Sequence, residues 1–303
     1  MKVVSIGSNG LLSTALGYYC IKKKHSLVVY GLERPKYHCD TFVFCNLLKD
    51  NQDFNQCLDA DLIIYASGAG IQSNLHEDPS IIYNLNVTAP ITLINYLKIH
   101  GFSGSFITFG SYFEIGANTE DKRWNEKEIL HTDMPVPNDY CVSKRMLTRF
   151  ADSISLPFEY RHFILPTIYA EYESPFRLIP MTVSNLLQGK DNVYTAGEQV
   201  RQYIYIDQVI QIVFNAYDAH IQSGIYNIEG EETFSVKELV KKIYSFFNES
   251  FDKLHFGGIQ RADIGMKNLQ LDGTILNKHL SQPSKVLLID ILPKYEQMLN
   301  KTK

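Results

Sequence analysis

The sequence has no apolar run approaching the roughly 18–20 residues that cross a bilayer, so no membrane span is expected. Nor is there an excess of positive charge. With 29 Lys+Arg against 33 Asp+Glu the net charge is −4, whereas a general binder of phosphate backbones needs a basic excess or stripe. The short basic run Lys22-Lys23-Lys24-His25 reads as a solvated helix end, so no nucleic-acid partner is expected. Cysteine is scarce. The five present (Cys20, Cys39, Cys45, Cys57, Cys141) are odd in number and form no C-x-x-C pair. This argues against a disulfide framework or a structural zinc site and for reduced thiols in the cytoplasm. Met1–Gly7 runs straight into a strand pattern and leaves no room for a signal peptide. Internal repeats, low-complexity tracts and a Gly/Ser/Pro linker are also missing.

What remains is a globular composition, 45% hydrophobic and 20% charged. At this length roughly three-quarters of the unfolded surface can be buried, enough for one large core or two joined ones. The first 110 residues alternate short apolar runs with longer helical patterns. Val3–Ile6, Ser26–Tyr30, Thr41–Phe44, Asp61–Ala66 and Ser105–Phe109 read as parallel strands buried on both faces. Leu11–Lys23, a polar stretch around Leu48–Leu58, and Ile81–His100 are each long enough for a crossover helix. Such alternation predicts a doubly wound α/β sheet. After about residue 165 prolines break the chain into shorter elements, with helices expected over Leu178–Gln188, Asp207–Ala219 and Ser235–Phe247.

The segment Gly7-Ser8-Asn9-Gly10-Leu11-Leu12-Ser13 closes the first strand and opens the first helix. Gly7 suits a tight turn, and Gly10 lets backbone approach a pyrophosphate held at the helix N-terminus. Ser13 replaces a usual third small residue. At the end of the second strand NAD users carry an acid for the ribose 2′-OH, and NADP users a cation. Here Gly31 holds the acid's place and Arg34 lies close by, with Glu33 able to pair with Arg34 or to supply a carboxylate. The balance favours NADP(H), with NAD(H) the alternative.

Tyr140 and Lys144 are four apart, which on a helix stacks both on one face. A nearby ammonium is expected to pull the phenol's pKa down from about 10. The tyrosine then exchanges a proton with a sugar oxygen while hydride moves to or from nicotinamide. Ser111 ends the fifth strand, at the carboxyl edge where such sheets hold ligands, and is placed to bond the same oxygen.

In this order the glycine turn, strand-end serine and Tyr–Lys helix resemble the extended short-chain dehydrogenase/reductase superfamily, more narrowly its nucleotide-sugar epimerase/dehydratase/reductase branch. The resemblance runs from Val3 to about Asp272. It implies a Rossmann-type doubly wound parallel sheet over residues 1–165. A smaller α/β region over 166–303, partly interleaved with the first, would bind a nucleotide sugar. It also implies that Ala66-Ser67-Gly68 wraps the cofactor, that Asn46-Leu47 faces the adenine, that Asn86 supports the site, and that Leu165 borders it. Thr167 and Ala170 depart from the segment that follows the sixth strand. On the substrate side it implies Arg177 at a helix start over the nucleotide. Arg201, in Gly197–Asp207, would clamp the diphosphate as a forked, always-charged donor, with Arg261 in a loosely matching Arg-Ala-Asp. Tyr112, Phe113 and Phe176 would line the pocket. His162 and Trp124 read as structural. A homodimer through the helices near Ile81–His100 and Asn138–Ser153 is also implied.

Dehydratases of this branch follow the serine or threonine with Asp-Glu, and here those positions are Tyr112 and Phe113. A 4,6-dehydratase is therefore disfavoured. The favoured expectation is a nucleotide-sugar 4-ketoreductase using NADPH, with Ser111, Tyr140 and Lys144 catalytic. The alternatives are a 4-epimerase with tightly held NAD and a non-catalytic dinucleotide sensor. Four intact residues, Ser111, Tyr140, Lys144 and Arg201, speak against a sensor.

Overall fold

The computed structural model describes residues 1–50, 52–71, 77–260, 265–281 and 283–301. The predicted strands form, as β1 (Lys2–Ile6), β2 (Ser26–Gly31), β3 (Thr41–Phe44), β4 (Leu62–Tyr65) and β5 (Ser105–Ser111). With β6 (Glu159–Leu165) and a later strand, Gly224–Asn227, they make a seven-stranded sheet. From one edge the order is Gly224–Asn227, β6, β5, β4, β1, β2, β3, and every neighbouring pair is parallel. β1, β2, β4 and β5 read as continuous apolar runs because both faces are buried, whereas β3, expected to be buried likewise, is the edge strand and has no fully buried residue. Val3, Val29, Ile64 and Ile107 enter one core while Val4, Val28, Ile63 and Phe106 enter the other. The chain reverses its order beside β1, so the crevice at the carboxyl ends of β1 and β4 is the switch point at which such sheets bind ligands.

Helix α1 (Leu11–Lys23) spans the predicted residues and ends with Lys24 in the left-handed region. Two other expectations change. The described residues of Leu48–Leu58 form turns and one short 3-10 turn, Asn55–Cys57, rather than a crossover helix. Side chains there capture the backbone first: Asn46 Oδ1 accepts from Leu48 N–H at 3.1 Å and Asp53 Oδ1 from Asn55 N–H at 2.8 Å. The expected helix over Ile81–His100 is α2 (Pro79–Tyr83), a widened π turn (Asn84–Thr88) and α3 (Ala89–Ile99). Pro90 has no N–H to give to Asn86 four residues earlier, and the widened turn absorbs that misfit.

Past β5 come α4 (Glu126–His131), α5 (Asp139–Ser153), β7 (Thr167–Tyr169), α6 (Leu178–Leu187), β8 (Asn192–Tyr194), β9 (Val200–Tyr205), α7 (Ile206–Asp218) and β10 (Gly224–Asn227). β11 (Glu232–Ser235), α8 (Val236–Phe246), β12 (Leu254–Phe256), β13 (Asn268–Leu269), α9 (Thr274–Asn277) and α10 (Leu288–Lys301) complete it. β9 anchors a small second sheet with β11, β13 and β7. Because β10 returns to pair with β6, the later chain is threaded into the first sheet. Among the described residues no helix is long and apolar enough to cross a membrane.

Candidate active site

The glycine turn is shaped by its neighbours. Gly7 has φ +124°, and a Cβ there would lie 3.0 Å from Ser67 Oγ and 3.1 Å from the Ala66 carbonyl carbon. Only glycine fits such a conformation without strain. Gly10 is the N-cap of α1, with no side-chain cap and no acidic residue in the first turn. A Cβ on Gly10 would meet only ordinary contacts, 3.5 Å and beyond. The protein's own packing therefore does not require glycine at 10, whereas a phosphate lying close to Leu11 and Leu12 would. Ser13 is fully buried and turns its hydroxyl back to Gly10 O at 3.0 Å, which explains a polar residue at the small position.

At the end of β2 a Cβ on Gly31 would fall 2.5 Å from Ser8 Oγ, so Ser8 fills the space an acid would need. Asn9 ties this loop down, donating to Arg34 O and accepting from Lys36 N–H, each at 3.2 Å. The Arg34 guanidinium lies 5.3 Å over the Phe42 ring. Leu32 and Phe44, passed over in the sequence, expose large apolar surfaces at the same carboxyl edge. Asn46 shapes the next turn through Leu48, and Leu47 packs against the second core. The uncapped helix start, the unfilled space at Gly10 and the apolar edge fit a nicotinamide dinucleotide.

Asn86 is a buried hub. Its Oδ1 accepts from Ala69 N–H, and Nδ2 donates to Ala69 O and to Ser143 Oγ, all at 2.9 Å. The tail of β4 is thus fixed to α5, with Gly68 so close that a Cβ would lie 3.0 Å from Asn86 Oδ1. Asn86→Ala would leave the Ala69 backbone groups buried and unpaired. It is expected to lower unfolding free energy by about 3 kcal/mol, read by urea denaturation.

Ser111 ends β5 opposite Leu165, and its hydroxyl acts on the Tyr140 phenol, favouring the phenolate. Lys144, one turn along α5, donates to Phe109 O at 2.9 Å, and its Nζ lies 5.8 Å from the Tyr140 ring centre. The three predicted catalytic residues therefore meet, but the electrostatics differ from the expectation. Burial is the largest influence on the Tyr140 phenol and holds it above its ordinary value, opposed by the Ser111 hydroxyl. The physical reason is desolvation, which disfavours a buried phenolate even beside an ammonium. Burial also pushes Lys144 down to about 8.

On the substrate side, Tyr112 is buried rather than a pocket wall, and its hydroxyl bonds Thr167. Phe113 turns edge-on to both Tyr112 and Tyr140. Neither former dehydratase position carries an ionisable acid near the phenol. Arg177 is N-cap of α6, paired with Glu173 at 3.0 Å and donating to Ile168 O at 2.8 Å. Arg201, on β9, is buried and donates to Val200 O at 2.8 Å. The charges of both arginines act on buried Tyr203. Phe176 is exposed, and Arg261 lies outside the described residues. His162 is buried between Thr108 and Thr148 hydroxyls, and Trp124 is packed beside Leu271, both structural.

Residues 3–228 match the family described as NAD-dependent epimerase/dehydratase. The chain belongs to that family. This places it in the nucleotide-sugar branch of the extended short-chain dehydrogenases/reductases. It is 28% identical over 166 residues to the dTDP-glucose 4,6-dehydratase of Streptomyces griseus, covering 54% of this chain and 49% of that protein. To an Escherichia coli dTDP-glucose 4,6-dehydratase it is 30% identical over 97 residues, 29% of this chain and 27% of that one. The match thus spans about half the length of the first of these relatives and less of the second. Among solved structures, DesIV, the Streptomyces venezuelae dTDP-glucose 4,6-dehydratase with NAD and TYD bound, superposes with TM-score 0.83 at 17% identity. That superposition covers 99% of this chain and 97% of the other. The Thermotoga maritima UDP-glucose 4-epimerase with UDP-glucose gives TM-score 0.82 at 16% identity, covering 100% and 99%. At such identities the likeness establishes the Rossmann-type fold.

Within this family member, three further residues shape the site and were given no role from the sequence. Glu114 caps the turn after Ser111 from below β5, and Arg145 holds that turn through Glu114 O at 2.7 Å and Ile115 O at 3.1 Å. Glu173 is the buried partner of Arg177. The Ser-x-x-Glu spacing of Ser111 and Glu114 was a readable capping-box signal.

Proposed function

We propose that this chain transfers hydride at C4 of a nucleotide-diphosphate sugar, in the direction of reducing a 4-keto, 6-deoxy sugar with NADPH. The observation that carries this is Tyr140, set beside Ser111 and kept protonated by burial, which makes it a proton donor. A bound nicotinamide dinucleotide supplies the hydride. Gly7, Gly10 and the first turn of α1 would hold its phosphates, with Leu32 and Phe44 under the adenine, Arg34 beside the ribose and Lys144 near the nicotinamide end. Ser111 would share the sugar oxygen with Tyr140, while Arg177 and Arg201 would face the substrate diphosphate.

The second reading is a 4-epimerase using NAD. The family match and the similarity to UDP-glucose 4-epimerase favour it, because it needs the same Ser–Tyr–Lys set. Elimination, the reaction named for the dTDP-glucose relatives, is disfavoured because Tyr112 and Phe113 offer no acid–base pair. A homodimer through α3 and α5 is part of the proposal.

The test is to denature purified protein, identify any released dinucleotide by mass spectrometry, and titrate apo protein with NADPH and NADH. An emptied site that prefers NADPH supports the reductase, and retained NAD moves the assignment to the epimerase. Arg34→Ala is expected to weaken NADPH binding roughly tenfold or more and to leave NADH unchanged, measured by fluorescence titration. Equal losses for both would remove Arg34 from the 2′-phosphate.

A further inference from the structure

Glu114 is a buried carboxyl for which the reaction outlined above has no use. It sits on the tight turn after β5, with its side chain folded back beneath the strand. Oε1 accepts from Ser111 N–H at 2.7 Å, and Oε2 is buried with no hydrogen-bond partner. A Cβ on Gly110 would lie 2.6 Å from Glu114 Oε1 and 2.7 Å from His162 Nε2. The strand therefore carries glycine at 110 so that the carboxyl can enter. A cap alone does not need this, because an exposed carboxyl at the third position of a turn caps equally well.

We propose that Glu114 is a positioning residue for the Tyr140–Lys144 pair, its carboxylate the counter-charge that keeps both groups protonated so that the pair works as a proton donor. The inference rests on the hydride-transfer reading of the same site. α5 brings Tyr140, Cys141, Lys144 and Arg145 to this region. β6 brings His162, which burial, then the Lys144 charge, push down to about 3, so that it stays neutral. Arg177, at the start of α6, acts on Tyr140 from the other side and favours the phenolate.

Within that set the signs agree. Burial lowers Lys144 to about 8, and the Glu114 charge opposes the fall. Burial raises Tyr140, and the Glu114 charge adds to the rise. Glu114 itself is pushed up to about 7 by burial, restrained first by the Thr148 hydroxyl on α5, then by Ser111 N–H and the charges of Lys144 and Arg145. The carboxylate is therefore formed above about pH 7, the range in which Lys144 would otherwise begin to lose its proton.

The experiment follows Lys144 without any substrate. Wild type and Glu114→Gln are pulse-labelled with acetic anhydride across a pH series, and the Lys144 peptide is quantified by mass spectrometry, with exposed Lys24 as internal control. Glutamine keeps an acceptor for Ser111 N–H and removes the charge. The expected result is a Lys144 midpoint about one pH unit lower in Glu114→Gln, an unmoved Lys24, and an unmoved Lys144 midpoint in Glu114→Asp. An unchanged midpoint in Glu114→Gln, or an equal drop in Glu114→Asp, overturns the proposal. Should Glu114→Gln fail to fold, coupling is read from the other partner, since it is reciprocal. The carboxyl carbon-13 signal of Glu114 should then titrate about one unit higher in Lys144→Met than in wild type, and an equal midpoint overturns the proposal. A shifted Lys144 midpoint in a protein that turns over no nucleotide sugar upholds the coupling and removes the reaction assigned to the site.

Discussion

Tyr140→Phe is expected to lower kcat about a hundred- to ten-thousand-fold, with dinucleotide affinity and thermal stability unchanged. The phenol hydroxyl lies beside Ser111 at the carboxyl end of β5. Phenylalanine keeps the ring that packs edge-on to Phe113 and removes only that proton. The measurement is stopped-flow nicotinamide absorbance with a 4-keto nucleotide sugar. An undiminished rate would take the proton-donor role away from Tyr140. Ser111→Ala should show a smaller loss in the same assay, because it removes a partner of the phenol and not the proton itself.

The second large effect concerns the glycine turn, where two glycines that look alike in sequence should behave differently. Gly7→Val places a branched side chain at φ +124°, against Ser67 and Ala66. It is expected to cost about 2–4 kcal/mol of stability and to abolish dinucleotide binding. Gly10→Ala meets only ordinary contacts. It should fold with an unaltered melting temperature and still lose dinucleotide affinity, because the added methyl occupies the approach of a phosphate. Calorimetric titration beside thermal denaturation separates the two. Full NADPH affinity in Gly10→Ala would mean that the phosphates do not lie against that backbone.

Both predictions trace to features of different legibility. The strands were readable because each is short, apolar and bounded by Gly, Asn or Asp, and in all but the edge strand β3 burial on both faces leaves no other pattern. α1 was readable to its last residue, since a basic end and a strand follow it at once. The segment around Leu48–Leu58 was not, because Asn46, Gln52 and Asp53 bond backbone locally, and propensity does not report which of these bonds forms. The π turn at Asn84–Thr88 was hidden for a similar reason. Pro90 announces a misfit, but only the pull of Ala69 and Ser143 on Asn86 shows where the chain widens.

The functional residues divide along the same line. Gly7, Gly10, Ser111, Tyr140 and Lys144 were legible because their spacing is set by a single turn, strand end or helix, which sequence distance measures directly. Their charge states were not. Tyr140 lies four residues from an ammonium, yet burial, which sequence spacing does not report, is the largest influence on the phenol. Arg201 and Arg177 were legible as cations. That Glu173 pairs with one, that the other lies buried along β9, and that both act on Tyr203 depends on elements far apart in the chain. Local spacing and periodicity were enough for the parallel sheet, the glycine turn and the side chains proposed to react. Which of those groups hold protons, and which partners neutralise them, came only with the fold, because solvation and charge are set by whatever packs around each group.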